Sequence, residues 1–286
     1  MRGLSQSFID ELKTGMLSGL LQAVINDKDL DLQIRAGYLN VYYKGHSLLK
    51  LTGRANAVYQ VDVHTKFLGD MTLPAISDQA TAATFLAAIP RLKAAIITHG
   101  ASSLEVEYEQ QIIRANNLEL RTNSEYFIVD RQYADGGDRF DLIGLCWPRD
   151  GRRRGQVVAP CFLEIKYAQN PDIQQVGVQL QRYYNAIAQD PAVMAQEIQQ
   201  VLRQKLELGL FNQPADRLDA LATLTVSDDI ASFQFIVVLV DFNPHSQLLE
   251  LAQLAALPFA GQIKLFRTGF AMWQQSLQTL AALPSA

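Results

Sequence analysis

Cysteine is almost missing from this 286-residue chain, with only Cys146 and Cys161. Histidine is nearly as scarce: His46, His64, His99 and His245 are scattered singly. That set offers no zinc-ligand spacing and no disulfide framework. Both cysteines fall on apolar runs that read as neighbouring strands. Small buried thiols are expected there, since disulfides are rare in the cytosol. Long apolar runs are also missing. The longest, 235–240, has the length of a buried strand and falls far short of the ~18 residues that cross a bilayer. The first residues carry acids, Asp10 and Glu11, where a signal peptide carries none. These absences point to a cytoplasmic protein without a membrane partner. Basic excess is lacking too: 25 Lys and Arg stand against 29 Asp and Glu, a net charge of −4. The global footprint of a nucleic-acid binder is therefore absent, although local patches count for more than the sum.

What is present is an ordinary globular composition, 49% hydrophobic and 19% charged, enough for a large core and one or two domains. Residues 5–26 repeat Phe8, Leu12, Met16, Leu20 and Val24 at helical spacing. Residues 32–45, 46–53 and 57–68 are dense in Val, Tyr, Leu and Thr and broken at Gly45 and Gly53, as an antiparallel meander would be. Helices are expected over 77–97, kinked or restarted at Pro90, and over 99–117, where Ser102 and Glu105 make a capping box. Then come strands at 124–133, 139–147 and 157–168, joined by the turns 134–137 and 148–156. Helices at 172–189 and 191–209, a strand at 232–242, a helix at 246–257 and a strand at 262–273 complete the reading. A boundary near residue 100 divides an N-terminal helix-and-meander region, 1–100, from a C-terminal α/β region, 101–286.

Two pieces of the C-terminal region stand out: "DRFDLIGL" and "CFLEIKYA". They place Asp141, Glu164 and Lys166 in apolar strands, although buried charges are costly unless paired or bound to a metal. In a strand, Glu164 and Lys166 point the same way and Leu163 and Ile165 the other. If the two strands pair as a hairpin, Asp141 comes near Glu164. Two adjacent carboxylates repel and raise each other's pKa. A hard divalent cation relieves that repulsion, and Mg²⁺ is typically held by one or two carboxylates with waters and phosphate. On the following helix, Gln179 and Tyr183 are at i and i+4, on one face. Arg152 and Arg153 lie in an arginine-rich turn that could hold a phosphate backbone. Arg35, Tyr38, Tyr42, Tyr43 and Lys44 mix basic and aromatic side chains. That pattern suits ordinary packing or, alternatively, a nucleic-acid platform.

The order of elements, the acid on the second strand, the Glu164-Ile165-Lys166 triplet on the third and the Gln179/Tyr183 helix together resemble the PD-(D/E)XK nuclease superfamily. The helix motif is like that of its helicase-associated exonuclease branch. The resemblance covers residues 102–242. It implies an α/β fold with a mixed sheet and a restriction-endonuclease-like αβββαβ core. It also implies an Mg²⁺-dependent nuclease, with Mn²⁺ as a substitute, acting on nucleic acid, DNA ahead of RNA. Asp141 and Glu164 would hold the metal, Lys166 would position the attacking water, and Gln179 and Tyr183 would meet substrate. Members often add a glutamate from the first core helix. Here Glu107, flanking the stripe Leu104, Tyr108, Ile112, is favoured over Glu109 as that third ligand. The rival expectation is a catalytically silent binding or assembly module. The sequence leaves room for a homodimer.

Overall fold

The computed structural model describes residues 2–100, 104–118, 124–135, 138–149, 152–168 and 170–274. Ser102, the expected cap, and Gly136 and Gly137 of the expected turn lie outside the described residues. The chain opens with two helices, α1 (Gln6–Lys13) and α2 (Ser18–Asn26), where periodicity suggested one. The apolar stripe does run through both: Phe8, Ile9, Leu12, Leu20, Leu21 and Val24 are buried. The helix breaks at Gly15, which packs so tightly on Glu11 that a Cβ would lie 2.0 Å from its carboxylate. That carboxylate accepts the Met16 N–H at 2.8 Å.

Next comes an antiparallel meander of β1 (Leu30–Ile34), β2 (Tyr38–Tyr43), β3 (His46–Gly53) and β4 (Tyr59–Asp62). Lys44 and Gly45, both at positive φ, form the tight turn between the paired Tyr43 and His46. The third apolar run does not stay extended: 65–68 coils into α3 (Thr65–Leu68), capped by the His64 imidazole on the Lys66 N–H. The long helix α4 (Gln79–His99) starts on a capping box of Asp78 and Thr81. It runs through Pro90, which faces solvent, where water can take the freed carbonyl. By length and composition α4 could cross a bilayer, contrary to the expectation that no segment qualifies. It buries Ala82, Phe85, Ile89, Leu92 and Ile96 in the core, and its Lys93 ammonium pairs with Asp27 on the N-terminal side at 2.6 Å.

The second half is built on a mixed sheet. Helix α5 (Leu104–Ile113) leads to β5 (Tyr126–Asp135), β6 (Asp138–Cys146) and β7 (Val157–Tyr167), an antiparallel trio. Then follow α6 (Val176–Gln189), α7 (Pro191–Glu207), α8 (Ala215–Ala222), the short β8 (Thr225–Val226), β9 (Gln234–Val240), α9 (Leu251–Ala255) and β10 (Ile263–Thr268). The sheet order is β10-β9-β7-β6-β5, with β9 parallel to both β7 and β10, and β8 beside the start of β7. The fold class is thus mixed α/β, with one antiparallel and one mixed sheet. After Gln234, strand β9 is apolar because both of its faces are covered. Phe235, Val237 and Leu239 join the core under α6, while Ile236, Val238 and Val240 join a second cluster under α5. The last strand ends at Thr268, before the expected 273, because Gly269 turns the chain at φ +130°.

A buried polar cluster joins the two halves. A bulge at Val129 in β5 re-aims Asp130 and Arg131. Asp130 binds Arg35 at 2.7 Å and Arg2 at 3.0 Å. Arg131 reaches Asp31 of β1 at 3.3 Å. From α7, the Lys205 ammonium donates to Gln33 Oε1 at 2.6 Å and to the Val129 carbonyl at 2.7 Å. Burial lowers the Lys205 pKa to about 8, with Arg35 and Arg2 also pushing it down and Asp130 and Asp31 opposing. The charged form is therefore disfavoured in the fold. The cost is fully present below pH 8 and is relieved as pH rises toward the unfolded value of 10.5. Wild-type stability, measured by urea unfolding, should gain about 2 kcal/mol from this group between roughly pH 7 and 9.5. Lys205→Met should lack that gain. Parallel pH curves for the two proteins would refute the assignment.

Candidate functional site

Strands β6 and β7 are paired from Cys146↔Ala159 to Leu142↔Leu163 and then separate. One more step in that register would set Asp141 opposite Glu164. Instead, the Asp141 carboxylate enters the gap and accepts the Ile165 N–H at 2.8 Å. Glu164 is 4% exposed and Lys166 5%, and the Lys166 ammonium donates to Glu164 Oε1 at 2.8 Å. The Tyr183 hydroxyl shares its one proton between the Arg139 carbonyl at 2.6 Å and the other Glu164 oxygen at 3.2 Å. The structure thus gathers Asp141, Glu164, Lys166 and Tyr183. Gln179 sits one turn before Tyr183 on α6. Among the described residues its buried Oε1 meets no hydrogen-bond donor and it makes no bond to the acids.

Burial, joined by the charges of Glu164 and Glu109, pushes the Asp141 carboxyl well above the usual carboxylate range; the Ile165 N–H and Lys166 oppose this only in part. Glu164 is also raised by burial, with Glu105 adding to the push and Lys166 and Tyr183 pulling down. The pair is short of positive charge: one ammonium serves two buried carboxylates.

The helix glutamates are distributed differently from the expectation. Glu107 is exposed, and its charge is not among the main ones acting on Asp141 or Glu164. Glu105 and Glu109, one turn apart, are the residues whose charges reach Glu164 and Asp141. Glu105 Oε1 accepts the Asn170 amide at 2.9 Å, a role outside the capping box. Glu109, 1% exposed, is held by Arg131 at 2.9 Å and by Gln132 at 3.4 Å. The stripe on α5 rotates this way because Tyr108 and Ile112 pack on the sheet, with Tyr108 stacked on Tyr167 at 5.5 Å. The sequence carried a signal for this. Asp130 and Arg131 interrupt an apolar strand just as Asp141 does, and so demand buried partners.

The arginine turn is also placed elsewhere. Asp141 lies near the start of β6 and Glu164 near the end of β7, whereas the turn joins their opposite ends. Seven residues separate Glu164 from Val157, roughly 23 Å of strand. Arg152 and Arg153 are therefore not beside the acids. Arg152 lies over the Trp147 ring at 4.8 Å, and donates to the Trp147 and Ser124 carbonyls. Arg153 is exposed, and Arg154 pairs with Asp219. Of the aromatic and basic residues in and beside β1–β3, Arg35, Tyr42 and Tyr43 are buried packing residues, with Tyr42 beneath Arg131 and Tyr43 beneath Lys93, while Tyr38 is half-buried and Lys44 exposed.

Three non-glycine residues in the left-handed region lie at the end of the sheet that carries the acids: Gln132 within β5, and Ala168 and Asp241 just after β7 and β9. Such strain persists only where surroundings over-determine it, and it concentrates at working sites. Asp241 accepts the Tyr108 hydroxyl at 3.0 Å and the Ala271 N–H at 2.7 Å, fixing the loop after β10 to α5.

Among the described residues, no group of three His, Cys, Asp or Glu stands ready to hold a metal ion. The pair alone fits Mg²⁺ chemistry: hard oxygen donors, mutual repulsion that a cation would relieve, and a number that octahedral Mg²⁺ commonly takes from protein. Comparisons with protein-family models, curated proteins and solved structures give no match.

Relocating the arginines has a measurable consequence. Arg152→Ala should lower stability by about 1–2 kcal/mol through loss of its stacking and carbonyl contacts, while Arg153→Ala should be neutral. Any nucleic-acid binding detected in a gel-shift titration should be the same in both variants as in wild type. A loss of binding in Arg153→Ala would restore the turn as a phosphate contact.

Proposed function

We propose that the chain is a metal-dependent nuclease of the PD-(D/E)XK type, with a restriction-endonuclease-like core formed by α5, β5, β6, β7, α6 and β9. The observation that carries this reading is the buried pair Asp141 and Glu164 at the splayed end of β6 and β7, with Lys166 against Glu164. A scaffold has no evident use for two under-neutralised carboxylates there. Asp141 and Glu164 would hold Mg²⁺, or Mn²⁺ in its place. Bound there, the cation supplies an acidified water and shields phosphate charge. Lys166 places an ammonium beside the reacting phosphate, where it orients water and stabilises developing negative charge. Tyr183 fixes the Glu164 carboxylate. Gln179 offers a free acceptor near the same helix face. Glu109, in place of Glu107, adds negative charge beside Asp141 and is itself held by Arg131. The substrate is nucleic acid, taken as DNA before RNA on the resemblance of the motifs.

A second reading has its own support. Glu164 is already engaged by Lys166 and Tyr183, and no third carboxylate completes a metal cage. Those facts, the second read among the described residues, favour a silent nucleic-acid-binding or assembly module. The deciding experiment uses dialysed protein on single- and double-stranded DNA and on RNA, with Mg²⁺, Mn²⁺ or chelator. Metal-dependent cleavage is expected, reduced about 10²–10³-fold in Asp141→Asn and Lys166→Ala. Because Lys166→Ala leaves Glu164 buried without its cation, its melting temperature should also fall. Lys166→Arg keeps the ion pair and the fold but should not restore the rate, since a planar fork replaces a compact charge. Cleavage at the wild-type rate by a folded Lys166→Arg protein would sink this role for the lysine. An absence of metal-dependent cleavage by wild type would hand the site to the binding-module reading.

A further inference from the structure

We infer that β10 and the loop after it form an edge that binds single-stranded nucleic acid, with an unpaired base seated in the pocket between α5 and β10. The inference deepens the nuclease reading and rests on it for the position of the acids. The pocket has a volume of about 640 Å³ and is lined by Tyr108, Ile112, Tyr126, Val238, Phe266 and Phe270 among others. Its lining is mostly apolar and carries four aromatic rings, a surface on which a base of any sequence can stack.

The register of the sheet places Glu164 and Lys166 on one face and this pocket on the opposite face, across the edge strand β10. Arg267 pairs with Leu239, and Leu239 with Lys166, so the three are level across neighbouring strands. Paired residues share a face, and two strand spacings put the Arg267 and Lys166 backbones ~10 Å apart. Arg267 therefore leaves the sheet on the side of Lys166. Phe266, level with Val238 and Ile165, leaves it on the side of the pocket. One short strand thus presents a cation on the face of Lys166 and a ring on the face of the cavity. Lys264, two residues before Phe266, adds a second cation at the pocket. Among the described residues, neither Lys264 nor Arg267 pairs with an acid.

The rings are exposed yet held. Phe266 is 55% and Phe270 87% exposed. The Phe270 and Ala271 N–H groups both donate to Asp241 Oδ1, so the loop is anchored while the ring faces out. Exposed, anchored rings with unpaired cations complement an anionic polymer carrying stackable faces. Only unpaired bases offer those faces, since a duplex stacks them internally.

The test is fluorescence anisotropy in chelator with full-length protein and a labelled single strand of about 12 nucleotides, its duplex, and a labelled fatty acid as an apolar probe. The single strand should bind more tightly than the duplex. Phe266→Ala and Phe270→Ala should each weaken it about tenfold, with unchanged melts because both rings are exposed. Arg267→Ala should reduce the log–log salt slope by about 0.7, one phosphate contact. Arg153→Ala, at the far end of the hairpin, should change nothing. Unchanged single-strand binding in both phenylalanine variants would overturn the inference, even if wild type cleaves. So would Phe266-dependent binding of the fatty acid without binding of the oligonucleotide. Phe266-dependent oligonucleotide binding by a protein that never cleaves would support the inference and remove the nuclease reading.

Discussion

Asp130 is buried in the protein, with the guanidinium groups of Arg35 and Arg2 on its two oxygens and the Arg131 N–H at 2.8 Å on the first of them. Burial alone would push its pKa up, but Arg35, Arg2 and Lys205 outweigh this and hold it below the usual carboxylate range. The arginines come from the N-terminal side and the acid from β5, so the network links the meander to the mixed sheet. Removing either side would leave buried charge uncompensated, which typically costs ~3–5 kcal/mol. The N-terminus is tied in the same region, where the Arg2 N–H donates to Glu197 and Leu4 exchanges two hydrogen bonds with Gln204 on α7.

The candidate site depends on this clasp through Arg131. Its guanidinium holds Asp31 on one side and Glu109 on the other, and so fixes which carboxylate of α5 faces Asp141. The charge balance at the sheet end follows. Asp141 feels Glu164 and Glu109, Glu164 feels Glu105, and Lys166 offsets only part of the total. The helices set the remaining order. Tyr183 fixes Glu164 from α6, and Tyr108 links α5 to Asp241 and the loop after β10. The region 1–100 therefore contributes to the geometry of the site from a distance, through packing and buried charge.

Much of the architecture could be read along the chain. The alternation of β1–β3, the unbroken apolar β9 and the αβββα order all reflect local periodicity and turn chemistry. Asp141, Glu164, Lys166 and Tyr183 could be selected because charges in apolar strands, and polar residues at i and i+4 on a helix, are visible in one dimension. Glu109 could not be preferred over Glu107, because helical periodicity fixes rows of residues while the rotation of the helix against the sheet is set by Tyr108 and Ile112. Arg152 and Arg153 were misplaced for a related reason. A turn adjacent in sequence to both strands lies at the far end of the hairpin from residues on their outer termini.

The sequence by itself determined where the strands and most helices lie and which charged residues would need partners, since propensity, spacing and desolvation act locally. It did not determine which partners they found. The bulge at Val129, the splay of β6 from β7 beyond Leu142, the break at Gly15 and the level alignment of Arg267 with Lys166 exist only once strands pair and helices pack. Long-range register and close packing decided those features. They also decided which carboxylates stand together at the end of the sheet.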